Sequence, residues 1–176
     1  MRGAEIFMDF DDTYRELFKP VYAYILLRAQ DKNLAEDLAA RTWQKVFDKQ
    51  NSFNPAKGNL RQWIFTIARN EVNSYFRLYY VRKVFSLSDF EDDLAGGTET
   101  ENVEASAEKK QTEQILKNAM GKLKANYRDI LALKFYSGMS NGQIAQTLKI
   151  SESNAGTLIN RALNKLKLLL EAENVA

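Results

Sequence analysis

The sequence predicts an all-α protein: two small helical domains joined by a flexible linker, the second domain carrying a helix-turn-helix. Three observations lead there. Apolar residues recur at three- and four-residue spacing on both sides of an acidic strip. The 176 residues contain only two prolines and no sustained alternation of the strand type. Serines at 140 and 151 punctuate two consecutive helical stretches near the C-terminus. The expected boundaries are 1–85 for the first domain, 86–110 for the linker and 111–176 for the second.

Taken in order, residues 10–30 form the first helix, with Tyr14, Leu17, Phe18, Val21, Tyr22, Ile25 and Leu26 on its apolar face. Residues 33–50 repeat the pattern through Leu34, Leu38, Thr42, Trp43, Val46 and Phe47. The polar run 51–58, with Pro55 and Gly58, interrupts it. Residues 60–80 are a long aromatic-basic helix, with a break near Arg69-Asn70 as one reading. Ser86–Glu108 is acidic, contains Gly96-Gly97 and has no apolar period, which predicts a linker. Beyond it, helices are expected over 112–123 and 126–136, the latter stopped by Ser137-Gly138. Ser140 and Gln143 have capping-box spacing and start a short helix that runs through Leu148. Lys149-Ile150-Ser151 is a turn, and Ser151 caps a last helix whose buried face is 155, 159, 162, 166 and 169.

Composition narrows the chemistry. With no cysteine and no histidine, the chain has no thiolate or imidazole for metal sites, triads or redox sensing, so neither a metal nor a cofactor is expected. The carboxylate groups Asp11-Asp12, Glu36-Asp37 and Asp89/Glu91/Asp92/Asp93 are the alternatives an enzyme would have to use, and no Gly-rich phosphate loop accompanies them. No apolar run reaches the roughly 20 residues of a bilayer span, so no membrane insertion is expected. The first nine residues contain no apolar signal core, which argues for the cytoplasm. Charge is segregated. Residues 1–84 carry 14 Lys+Arg against 10 Asp+Glu, residues 85–108 carry none against 8, and residues 109–176 carry 11 against 5. Two basic blocks around an acidic strip suit an anionic partner gripped twice, although two solvated surfaces and an acidic linker would share the pattern.

Two segments fit that partner. In the C-terminal helix pair, the stop, cap, turn and stripe coincide as in a DNA-binding helix-turn-helix, whose second helix enters the major groove. Off the buried stripe lie Ser153, Asn154, Gly156, Thr157, Asn160, Arg161, Asn164 and Lys165. Arg161 and Lys165 suit phosphate or guanine, and Asn160 and Asn164 suit adenine. A plain helical hairpin in a bundle would share the stripe. Earlier in the chain, Lys57, Arg61, Arg69, Arg77, Arg82 and Lys83 face a single acid, Glu71, and alternate with Trp63, Phe65, Tyr75, Phe76, Tyr79 and Tyr80. Basic groups grip phosphates while aromatic faces stack on unpaired bases. The competing account puts several of these aromatics in the core.

In order along the chain, the pieces resemble the extracytoplasmic-function group of sigma-70 family RNA polymerase sigma factors. Ala35-Glu36-Asp37-Leu38 with Trp43 and Val46-Phe47 is similar to the family's polymerase-docking helix. Phe53–Asn70, with its Lys57-Gly58, Trp63 and Ile67-Ala68-Arg69-Asn70, is similar to the promoter-melting segment. Tyr127–Leu131, Phe135–Ser140 and Gln143-Ile144-Ala145 are similar to the domain that reads the upstream promoter element. The resemblance implies that Glu36, Asp37, Leu38 and Arg41 meet the β′ clamp helices of core RNA polymerase, and that the second domain sits on the β flap. It implies Trp63 in the melting helix, Asn70 at the loop that captures a flipped minus-ten base, and Arg69, Arg77, Arg82 and Lys83 on the backbone nearby. Arg161 matches a position that contacts the minus-thirty-five element. Family members are often silenced by an anti-sigma factor, so such a partner is implied too. The function implied is that of a factor that directs core polymerase to promoters and promotes strand opening, with no chemical step of its own.

The chain departs from the family at several positions. Ala40-Arg41 replaces a Gln-acid pair, Gly156-Thr157-Leu158 replaces a basic-small-basic triplet, Lys149 stands where Gly is common, and Lys124 where Pro is. Upstream-element binding is therefore expected to be weak or unusual in sequence preference. Three other readings compete. A repressor or activator would explain 126–170 alone, an adaptor would lack salt-dependent DNA binding, and an enzyme would need the carboxylates above.

Overall fold

The computed structural model describes residues 9–85 and 107–175. Seven α-helices are present among them: α1 Phe10–Ala29, α2 Lys32–Lys49, α3 Leu60–Phe85, α4 Ala107–Gly121, α5 Ala125–Tyr136, α6 Asn141–Leu148 and α7 Glu152–Val175. The expected linker core, residues 86–106, lies outside the described residues, as do the side chains of Arg82 and Lys83. The last four residues assigned to that linker, 107–110, belong to α4.

Each helix start has a local cause. Asp9 accepts from the Asp12 amide at 3.1 Å and Asp31 from the Leu34 amide at 2.7 Å, so α1 and α2 begin on carboxylate caps. Asp11 and Asp12 place further negative charge at the α1 N-terminus, where the helix dipole favours it. The polar break holds two single 3₁₀ turns, Gln50–Ser52 and Pro55–Lys57. Gly58 follows at φ 154°, a backbone conformation that a side chain would strain. Asn59 then caps α3, accepting from the Gln62 amide at 2.7 Å. α3 runs unbroken through Arg69-Asn70. Ile64, Phe65, Ala68 and Val72 form a continuous buried stripe across that point, and no glycine or proline interrupts it.

The first body packs α1 on α2 and α3 around Val21, Tyr24, Ile25, Leu38, Val46, Ile64 and Phe65. The second packs α7 on α4, α5 and α6 around Ile130, Leu131, Leu133, Ile144, Ala155 and Ala162. The two are joined by α5, which contacts α1 as well as α7. Asp129, Ile130, Leu131, Ala132 and Leu133 are all buried. Five successive residues cover more than one helical turn, so the middle of α5 is enclosed on every side, while Lys134 and Phe135 beyond it are exposed. Burying each large apolar side chain contributes roughly 1.5–3 kcal/mol.

Candidate nucleic-acid interface

The helix-turn-helix forms as its sequence punctuation implies. Ser140 and Gln143 close a reciprocal capping box at 3.2 and 2.9 Å, which starts α6. α6 ends at Lys149 in the left-handed conformation, φ 58°, with the Ile150 amide bonded to the Ala145 carbonyl at 3.0 Å. The Ser151 hydroxyl accepts from the Asn154 amide at 3.2 Å and starts α7. Ala155, Ile159, Ala162 and Leu166 are buried, and Leu169 packs against the same core. Ser153, Asn154, Thr157, Asn160, Arg161, Asn164 and Lys165 are exposed, and Gly156 is half-exposed. A Cβ on Gly156 would meet nothing within 4 Å, so packing does not require glycine there. The Thr157 hydroxyl is occupied, donating to the Ser153 carbonyl at 3.0 Å.

The other candidate face, on α3, is less open. Lys57, Asn70 and Arg77 are exposed. Trp63 is half-buried against Phe53, with ring centroids 5.5 Å apart. Tyr75, Phe76, Tyr79 and Tyr80 form a chain of ring contacts along the helix, at 5.4, 6.4 and 5.7 Å. Arg61 donates to the Ser137 carbonyl at 3.3 Å and to Glu16 at 3.2 Å. Arg69 donates through Nε to Asp129 Oδ2 at 2.9 Å. Glu71, the acid of this segment, is buried and paired with Lys45 of α2.

On α2, Glu36, Asp37 and Arg41 are exposed and share an outward surface. Leu38 departs from expectation. At 1% exposure it lies in the core, so it anchors α2 and presents no side chain to a partner. Its place in the stripe Ala35, Leu38, Thr42, Val46 already marked it as core.

A buried polar cluster had no counterpart in the sequence reading. The Asp129 carboxylate, 5% exposed, lies among Tyr24 and Arg28 of α1 and Arg69 of α3. The Tyr24 hydroxyl donates to Asp129 Oδ1 at 2.8 Å. Arg28 donates to the Ala125 carbonyl at 3.0 Å and to Asn73 Oδ1 at 2.8 Å. Its Nε lies 3.2 Å from Asp129 Oδ1, but the N–H points off line, so the contact is Coulombic and the Nε has no acceptor. Burial, and then the Asp129 charge, holds the Tyr24 hydroxyl pKa well above its ordinary value. Desolvation, and then Arg28, lowers that of Arg128. One sign of the cluster was available in the sequence: Arg28 extends the Val21-Tyr24-Ile25 face by one turn, so it had to be buried or partnered.

Together, an exposed recognition helix and an aromatic-basic helix define a DNA-binding transcription factor of the helix-turn-helix class. Residues 13–79 match the model of Sigma-70 region 2, and residues 113–166 that of Sigma-70, region 4. The chain is 30% identical to the ECF RNA polymerase sigma factor SigM of Bacillus subtilis, over 92% of this chain and 95% of that one. The sigma factor RpoE of Bartonella quintana, solved with the anti-sigma factor NepR, superposes with a TM-score of 0.78 at 26% identity, covering 93% of this chain and 97% of that one. CnrH, solved with the cytosolic domain of CnrY, shares the fold at a TM-score of 0.63 and 20% identity, with 93% and 88% covered. The protein belongs to the ECF RNA polymerase sigma factors, and its function is promoter-specific initiation of transcription. No helix among the described residues is long and apolar enough to cross a membrane.

Proposed function

We propose the following division of labour for initiation by this chain. The exposed Glu36, Asp37 and Arg41 of α2 contact the β′ clamp helices of core polymerase, and the second body rests on the β flap. Asn70 contributes to capture of a flipped minus-ten base, while Lys57, Arg61, Arg69, Arg77, Arg82 and Lys83 hold the phosphates of the separated strands. Trp63 braces the start of α3 through Phe53. Ser153, Asn154, Asn160, Arg161, Asn164 and Lys165 meet the minus-thirty-five element, with Gly156 and Thr157 allowing close approach of the backbone. The chain performs no bond chemistry, acts in the cytoplasm, and is open to control by an anti-sigma factor, as its relative RpoE is bound by NepR.

One observation carries this reading. A capped helix-turn-helix with its recognition face free shares a chain with an α3 helix on which exposed Asn70, Arg77 and Tyr80 accompany a half-buried Trp63. A repressor has no use for the second feature. Run-off transcription with purified core polymerase and genomic promoter fragments is the test. Discrete start sites that depend on the chain are expected, and their complete absence with active core polymerase would overturn the reading.

A further inference from the structure

The buried cluster at the junction of the two bodies contains a charge imbalance. Arg28, Arg69 and the adjacent Arg128 carry three positive charges, and the Asp129 carboxylate supplies one negative charge. Arg28 is 7% exposed and its Nε has no hydrogen-bond acceptor. A guanidinium placed in so dry a site needs an anion, and Asp129 is the one provided. The Asp129 carboxylate holds Arg69 in the charge-assisted geometry that a phosphate oxygen would use. The same side of α3 is covered again two turns earlier. There Arg61 reaches the Ser137 carbonyl, and Gln62 donates to the Gln143 carbonyl and to Gln146 Oε1 at 3.4 and 3.3 Å.

Resting on the initiation-factor reading above, we infer that Asp129 is a built-in phosphate surrogate: it latches the second body over α3, occupies Arg69, and must be displaced before the melting helix takes hold of a DNA strand. The Tyr24 hydroxyl, which donates to Asp129, orients the carboxylate and is a positioning group. The surplus positive charge makes the closure reversible. Arg28 and Arg69 compete for one carboxylate, so an arriving phosphate backbone meets guanidinium groups that are only partly neutralised. A chain whose competent form is a minor population binds its ligand more weakly by that fraction.

Because the chain has no cysteine, a donor and an acceptor dye can be attached at Lys49→Cys and Glu171→Cys, both exposed and on different bodies. Energy transfer and the affinity for a labelled random-sequence single-stranded oligodeoxynucleotide are then read on the full-length chain without polymerase. Asp129→Asn is expected to lower transfer and raise affinity by about 5-fold. Tyr24→Phe, which leaves the net charge unchanged, is expected to move both readings the same way by about 2-fold. It separates opening from the simple loss of a negative charge, and it keeps the test intact if Asp129→Asn loses helical circular dichroism. Unchanged transfer and affinity in Tyr24→Phe, together with unchanged transfer in any folded Asp129→Asn protein, would overturn the latch. Neither reading depends on core polymerase, so failed run-off transcription would remove the functional reading and leave the latch standing as a conformational fact.

Discussion

α3 and α7 are the two helices proposed above to offer basic residues to DNA, and they differ in what already occupies them. The outward residues of α7 face solvent, with Arg161 and Lys165 exposed and without an ion-pair partner among the described residues. On α3, Arg61 and Arg69 are bound to groups of the second body, while Asn70 and Arg77 remain exposed. Similar composition therefore gives different availability. The cations of α7 stand open to solvent, whereas α3 withholds some of its own.

The largest effect expected from this difference is on strand opening. Asn70→Ala removes an exposed side chain, so stability should change little. A pocket that offsets the few kcal/mol of base flipping would lose about 2 kcal/mol, a roughly 30-fold drop in open complex. Permanganate reactivity of promoter thymines reads this, with polymerase affinity expected to stay normal; lost affinity with normal opening per complex would remove Asn70 from the site. Arg161→Ala should cost less, about 1 kcal/mol of duplex binding, the low end for a base-contacting arginine. In the opposite direction, Gly156→Arg has open space for its side chain and should strengthen duplex binding, steepening the slope of log affinity on log salt by about 1. A slope identical to wild type in titrations at several salt concentrations would show that α7 does not approach phosphates at that position. The smallest effect concerns the turn between the helices. Lys149→Gly relieves a non-glycine left-handed residue and should stabilise the chain by about 1 kcal/mol, raising Tm by about 3 °C in a thermal melt.

The helix-turn-helix was legible because several independent signals fell at one place. Ser140 with Gln143, Ser151, and the 155-159-162-166 stripe each fixed a boundary or a face, and each rests on local chemistry that a single chain displays. α3 was legible as a helix, but the break considered at Arg69-Asn70 was not there: Ala68 and Val72 carry the stripe through it, and tertiary burial overrides two polar residues. The occupancy of Arg69 could not be read at all. Its partner lies 60 residues further along, and no local period encodes a contact of that range. Nothing local marks Asp129 as a buried residue. Only the enclosure of the middle of α5, Asp129 to Leu133, turns it into a buried one.

That enclosure has a thermal consequence. Parting the bodies would wet the side of α5 that faces α1, and wetting apolar surface carries a positive heat-capacity change. Contacts of this kind weaken on cooling, while the ionic pairings at their centre do not follow the same curve. The fraction of chain free to engage a promoter would then drift with growth temperature, set by the packing of one helix and without any dedicated sensor.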